Sequence, residues 1–151
     1  MELWRYIIIM SRKGDKFITE SVEETIALGK EVAQRLNPGD VVYLYGELGS
    51  GKTVFVKGVC QGLEVDDEIT SPSFVIATEY HGRLPVSHID LYRLDPIDVL
   101  DMHIEEYFSK SGVTLIEWAD RLKRKGGEGM HIKIRITGPN RREFEIEDSR
   151  H

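Results

Sequence analysis

Residues 46 to 53 read Gly46-Glu47-Leu48-Gly49-Ser50-Gly51-Lys52-Thr53, the full G-x-x-x-x-G-K-[ST] pattern, directly after the apolar run Val41-Val42-Tyr43-Leu44-Tyr45. Such a segment wraps phosphates: its backbone N–H groups converge on phosphate oxygens, which calls for glycine where the chain takes unusual dihedrals and approaches the ligand closely. Lys52 then brings a point charge to the β- and γ-phosphates and Thr53 offers a hydroxyl to Mg²⁺. The helix that begins there turns its positive end toward the anion. The following segment, Val54 to Leu63, places Phe55, Val56, Val59, Cys60 and Leu63 on one helical face, so the strand, loop and helix that the motif requires are all present. The ligand class is a nucleoside triphosphate, held by Glu47, Leu48, Gly49, Ser50, Gly51, Lys52 and Thr53.

A phosphate loop needs an acidic partner at another strand end, to hold the metal and to orient the attacking water. Two carboxylates fit. Val113-Thr114-Leu115-Ile116-Glu117 is an apolar strand closing on Glu117, and in Val86 to Arg93 the period of a strand sets His88, Asp90 and Tyr92 on one face, opposite Ile89 and Leu91. Residue patterning leaves open which of Asp90 and Glu117 orients water. His88 has no metal-ligand spacing to His81, His103 or His131 and is placed behind the ligand-contacting residues. Ser71-Pro72-Ser73 offers two hydroxyls in a proline-restrained loop, either a switch segment reaching the γ-phosphate or a plain connection. Trp118 packs against the sheet or stacks on the base. Arg141 and Arg142, at a hairpin turn, either contact the nucleotide or are simply exposed there.

The elements that must position these residues are legible in outline. Ser21 with Glu24 forms a capping box for a helix of about 15 residues, its apolar stripe Val22, Ile26, Val32, Ala33 and Leu36 ending at Asn37-Pro38-Gly39. Tyr6 to Met10 reads as a buried strand. Glu64 to Thr70 is a loop, and Phe74 to Tyr80 with Pro85 to Tyr92 makes a hairpin around His81-Gly82-Arg83. Asp95-Pro96 opens a helix to about Met102, with Ile104 to Phe108 as a continuation. Met130 to Thr137 and Glu143 to Glu147 alternate in polarity and pair across Gly138-Pro139-Asn140. Helices and strands interleave early and strands pair locally late, which predicts an α/β, three-layer P-loop NTPase-type domain with a mixed sheet. Residues 1–151 are expected to form that single domain.

Bulk properties narrow the function further. A net charge of −6 argues against a broad basic surface for nucleic acid, whose non-specific affinity comes from neutralised phosphates. The basic cluster Arg121, Lys123, Arg124 and Lys125 ends a short helical stretch, where cations oppose the helix dipole. Cys60 is the sole cysteine, which fits a core-filling role and a reducing compartment. No apolar run has the length of a membrane span. A cytoplasmic location is expected.

Taken together, the phosphate loop, Ser71-Pro72-Ser73-Phe74, His88-Ile89-Asp90-Leu91-Tyr92-Arg93 and Ile116-Glu117-Trp118, in this order and spacing, resemble the bacterial TsaE family, also called YjeE. The Ser21 to Thr25 segment matches as well, and the likeness covers residues 21 to 120. The resemblance implies a small ATPase required for N6-threonylcarbamoyladenosine at position 37 of tRNAs that read codons beginning with A. It implies that the chain works with TsaB and TsaD, that ATP hydrolysis, weak alone, supports multiple turnovers of that pair, and that tRNA is met only through the complex. Lys52 and Thr53 would hold phosphate and Mg²⁺, Glu117 would be a metal ligand, Asp90 would act catalytically at the nucleotide, and Trp118 would line its site. Ser71 to Phe74 would be the switch. Ser73 stands where threonine is more usual in that family and His103 where glycine is common. The partner face is expected at the switch and at Asp95 to Phe108, since a nucleotide regulates a partner only through a surface the partner contacts.

Two other classes fit the same motif. A small-molecule kinase would want an arginine-rich lid and an acceptor pocket, for which the chain leaves little room. A nucleotide-gated binding module would use ATP to order a surface without meaningful turnover. The arginine that would complete a hydrolytic site is either Arg93 or one from a partner. No N-K-x-D motif for guanine is present, and ATP over GTP rests on the resemblance.

Overall fold

The computed structural model describes residues 7–11, 14–47, 49–69, 77–94, 103–122 and 127–150. Eight strands among them form one sheet: β1 (Ile7–Ser11), β2 (Gly14–Thr19), β3 (Val41–Gly46), β4 (Ala77–Tyr80), β5 (Val86–Asp90), β6 (Val113–Glu117), β7 (Met130–Ile136) and β8 (Arg142–Asp148). Their order is β1-β2-β8-β7-β3-β6-β5-β4. Strands β5, β6, β3 and β7 run parallel to their neighbours in that series, whereas β1, β2, β8 and β7 are joined by antiparallel pairings and β4 pairs antiparallel to β5. The sheet is mixed, as expected, and both expected hairpins form. Tyr6 lies outside the described residues, but Ile7 to Met10 form part of an edge strand.

Among the described residues two α-helices cover one face of the sheet, α1 (Val22–Ala33) and α2 (Lys52–Gly62). Their buried residues, including Leu28, Val32, Phe55, Val56 and Val59, join Val42, Leu44, Leu115, Ile132 and Phe144 in one core. The other face carries a smaller core of Val41, Tyr43, Ile89, Leu91 and Ile116, closed over by residues of two 3₁₀ turns, Ile104–Tyr107 and Ala119–Arg121. Ile104–Tyr107 is a single 3₁₀ turn, where Ile104 to Phe108 was expected to continue as helix, because Phe108 is already extended. The expected helix from Asp95 to Met102 and the Ser71 to Phe74 segment lie outside the described residues.

The capping box is present. Ser21 Oγ accepts the Glu24 N–H at 3.0 Å and the Glu24 carboxylate accepts the Glu20 N–H at 2.7 Å. The helix is shorter than its apolar pattern suggests, because i to i+3 bonds from Arg35 to Val32 and from Leu36 to Ala33 tighten its exit. Its stripe is also rotated: Val22 is exposed and Ile26 half-buried, while Thr25, Leu28 and Gly29 face inward. The cause is a close crossing of the two helices. A Cβ on Gly58 would sit 2.3 Å from the Ile26 carbonyl oxygen, and one on Gly29 2.6 Å from that of Phe55, so the helices meet backbone to backbone. An apolar-periodicity count does not register glycine as an inward-facing residue. Strand β5 ends at Asp90, short of Tyr92, because the Asp90 carboxylate accepts the Tyr92 N–H at 2.9 Å and turns the chain.

Candidate functional site

The parallel strands β3, β5 and β6 bring three chain segments to one edge of the sheet. Asp90 and Glu117 are paired in register at the ends of β5 and β6, and Glu117 lies opposite Leu44, two residues before the phosphate loop leaves β3. Crevices at the carboxyl ends of parallel strands are where open α/β sheets place ligands. The alternation along β5 and β6 puts His88 and Glu117 on the face that α2 covers, since Ile89 and Ile116 belong to the opposite core.

Within the loop, Gly49 and Gly51 have φ of 79° and 105°, a region that side-chain-bearing residues avoid. The loop closes on itself through the Ser50 N–H bond to the Glu47 carbonyl, 3.0 Å, and α2 starts with the Phe55 N–H on the Gly51 carbonyl. The Lys52 ammonium is buried inside this turn, donating to the carbonyls of Gly46 and Glu47 at 2.6 and 2.9 Å, with Ser50 Oγ at 3.4 Å. It also lies 3.9 Å from the centre of the Trp118 ring, a cation–π contact. Burial pushes the Lys52 pKa down, and Glu117, Asp120, Asp90 and Glu47 pull against that shift.

Glu117, only 2% exposed, has a separate donor for each oxygen: Thr53 Oγ1 to Oε1 at 2.9 Å, and His88 Nε2 to Oε2 at 2.5 Å. A hydroxyl at the start of the helix and a carboxylate at a neighbouring strand end thus converge, and these hard oxygens are the residues that could hold a divalent cation. Among the described residues no three His, Cys, Asp or Glu side chains cluster as a metal cage. Mg²⁺ does not need one, because it keeps waters and substrate phosphates as most of its ligands. Asp90, half-buried beside this pair, has its pKa raised by burial first and by Glu117 second, while the Tyr92 N–H, His88 and Lys52 act in the opposite direction.

Trp118 follows Glu117 with φ of 60° and ψ of 42°, a left-handed conformation that turns the chain at the strand end. Its ring meets Tyr92 at 4.9 Å between centroids, and the Arg121 guanidinium lies 5.7 Å away on the same ring. Arg121 donates to the Tyr92 carbonyl at 3.3 Å, so it binds this aromatic corner instead of simply ending a helix. Tyr92 was expected on the Asp90 side of its strand, but its contact with Trp118 and the part played by Arg121 were not; the meeting depends on the β5–β6 pairing, for which the residue types alone carry no signal. Arg142 does reach the loop, by way of its backbone: Nε donates to the Ser50 carbonyl at 3.1 Å and Nη2 to that of Gly49 at 3.3 Å, while Nη1 holds the carbonyls of Gly138 and Arg141. Glu47 is exposed at the loop's mouth, and Leu48 lies outside the described residues. Lys52, Thr53, Asp90, Glu117 and Trp118 therefore come to one place, with Arg142 at the back of the loop that feeds it.

A glycine-rich loop between a parallel strand and a helix, with acidic strand ends beside it, defines a P-loop NTPase-type α/β protein. The chain belongs within that class to the TsaE family: the family described as "Threonylcarbamoyl adenosine biosynthesis protein TsaE" matches residues 19–145. It is similar to the tRNA threonylcarbamoyladenosine biosynthesis protein TsaE of Bacillus subtilis, 41% identical over 131 residues, covering 85% of this chain and 82% of that protein. The Treponema pallidum protein of the same description is 38% identical, covering 85% of this chain and 97% of its own. The crystal structure of Bacillus subtilis YdiB superposes with a TM-score of 0.70 at 36% identity, covering 95% of this chain and 88% of that one. No helix among the described residues is long and apolar enough to cross a membrane.

Proposed function

We propose that this protein is the ATP-binding and ATP-hydrolysing subunit that supports threonylcarbamoylation of adenosine 37 in tRNAs reading codons that begin with A. It acts in the cytoplasm with TsaB and TsaD, through protein contacts and not through its own grip on tRNA, in keeping with its net charge of −6. The observation that carries this reading is the convergence of Thr53 and Glu117, 2.9 Å apart, beside the buried ammonium of Lys52 at the start of α2. A phosphate loop joined to an acidic strand end is the minimum apparatus of nucleotide hydrolysis.

In this mechanism the loop from Glu47 to Thr53 wraps the triphosphate with backbone N–H groups, and Lys52 turns from the carbonyls of Gly46 and Glu47 to the β- and γ-oxygens. Thr53 and Glu117 would hold Mg²⁺, which would supply charge neutralisation across those phosphates. Asp90, with its raised pKa, faces the same space and orients the attacking water; its proximity to Glu117 gives one carboxylate the metal and the other the water. Trp118 lines the nucleotide site and packs on the lysine it must release. Arg142 carries the loop through Gly49 and Ser50 and so sets the cradle in which the nucleotide lies.

The test is Mg-ATP hydrolysis by the purified chain, alone and with TsaB, TsaD and tRNA. Stimulation that depends on those partners is expected, and Lys52→Ala should lower turnover by about 10²-fold or more. Full activity in Lys52→Ala would overturn the site. Clear ATP binding with flat turnover in every mixture would make the protein a nucleotide-gated module and withdraw the roles of Asp90 and Glu117.

A further inference from the structure

We infer that His88 is a positioning residue whose task is to fix the orientation of the Glu117 carboxylate. The inference rests on the reading of Glu117 as the Mg²⁺-holding carboxylate. His88 is fully buried on β5, two residues before Asp90, and its register partner on β6 is Leu115, two residues before Glu117. Its side chain shares the α2 face with Glu117, and its Nε2 meets Glu117 Oε2 at 2.5 Å. A carboxylate only accepts, so the ring carries its proton on Nε2 and donates it.

The final torsion of a glutamate has broad, roughly two-fold preferences, so rotamer preference alone does not aim its oxygens. Two donors from different elements do that here, His88 from β5 on Oε2 and Thr53 from α2 on Oε1. With Oε2 tethered, Oε1 is left facing the loop at the place where the helix begins. The imidazole is itself held by packing, its ring tilted 34° against Tyr80 at 6.1 Å. Its other nitrogen, Nδ1, is buried with no hydrogen-bond partner among the described residues. A residue selected only to fill this space would be apolar and avoid that cost. The unsatisfied nitrogen is accounted for if Nε2 is needed where it is.

The experiment measures the Mg²⁺ concentration that half-saturates binding of a non-hydrolysable ATP analogue, by calorimetry, together with the affinity for that analogue without metal. In His88→Gln the amide nitrogen reaches about as far as Nε2, in His88→Asn it falls short, and in His88→Leu there is no donor. Loss of an outer partner of a metal-holding carboxylate weakens metal binding by roughly 10- to 100-fold. That rise in the half-saturating Mg²⁺ is expected for Asn and Leu, with Gln close to the native value and metal-free affinity constant throughout. Native Mg²⁺ dependence in Asn and Leu would reduce His88 to a packing residue, and so would a Gln variant as impaired as the other two. Should Leu fail to melt cooperatively, the Gln and Asn pair, both polar, decides the matter. Glu117→Gln serves as the separate control. If it binds Mg²⁺ and nucleotide like the native chain, the underlying site reading fails, whatever His88 does.

Discussion

The two halves of the sheet treat their second face in opposite ways. In β3, β5 and β6 that face is buried under the 3₁₀ turns: Val41, Tyr43, Ile89 and Ile116 are each at most 8% exposed. In β7 and β8 the equivalent face is charged, with Lys133 opposite Glu145 and Arg135 opposite Glu143 across the antiparallel pair. Strand β3 reads in sequence as a continuous apolar run and β7 and β8 as alternation, as burial on two faces or on one requires. The charges follow the same division. In the antiparallel half they lie at the surface, Lys133 and Arg135 exposed and Glu143 and Glu145 half-buried, and a partly exposed pair such as Lys16 with Glu143, 3.6 Å, is worth about 0.2–1 kcal/mol. In the parallel half His88, Glu117 and Lys52 are buried at the strand ends and first helical turn, where each must have a partner to be tolerated. A buried ionisable group in the parallel half is therefore a pointer to chemistry, whereas in the antiparallel half the residue that reaches the loop, Arg142, does so from the start of β8.

The strongest way to break this comparison is to exchange residue types between the halves. Ile116→Lys places an unpaired ammonium in the smaller core and should cost about 5 kcal/mol or more, enough to threaten the fold. Lys133→Ile, on the same face of β7, should change stability by no more than about 0.5 kcal/mol. Urea unfolding of the two variants would show it, and comparable losses in both would mean that the second face of β7 and β8 is also packed.

The helix layer gives a smaller, sharper test, because it spans both halves. Gly58→Ala would put a Cβ 2.3 Å from the Ile26 carbonyl and force α1 from α2, at a cost of about 2–3 kcal/mol. Gly138→Ala, in the β7–β8 turn, meets only the Arg141 Cβ at 3.3 Å and should cost well under about 1 kcal/mol. Thermal melts rank the two directly.

These contrasts also explain what could be read from the chain in advance. The strand, loop and helix of residues 41–62 were legible because a motif with fixed geometry sat between two unambiguous apolar patterns. Both hairpins followed from alternation around turn residues, and Asp90 and Glu117 could be proposed as strand-end acids. The α1 stripe was misread at Val22, Ile26 and Gly29, because a backbone-to-backbone crossing is decided by the absence of side chains. Contacts made by tertiary pairing left no local trace: Lys52 under Trp118, Tyr92 on the same ring, and Arg142 on the loop carbonyls. The left-handed turns at His103, φ 49°, and Trp118, φ 60°, were equally invisible as residue types, although the resemblance placed a glycine where His103 stands.

The smallest effect compares one carboxylate from each half by its response to pH. Burial raises the Asp90 pKa above its ordinary value, so in the window between the two the folded protein holds the extra proton, and stability falls as pH rises through it. At neutral pH the ionised Asp90 is a cost. Asp90→Asn, which keeps an oxygen for the Tyr92 N–H, should melt higher than the native chain at pH 7, and the advantage should vanish on acidification through that window. Asp148 is the reverse case. The Arg150 guanidinium binds both its oxygens, at 2.8 and 2.6 Å, and holds its pKa below the ordinary value, so its contribution is present above the unfolded pKa and is lost as pH falls through the folded one. Asp148→Asn should melt lower than the native chain at pH 7 and equal to it in strong acid; its side chain is 40% exposed, so screening keeps the difference within about 1 kcal/mol. Calorimetric melts from pH 3 to 7 without nucleotide would record two curves of opposite slope. The same sign in both variants would mean that the ionised Asp90 is as well satisfied as a surface ion pair, and its assignment to the reacting water would lose its electrostatic support.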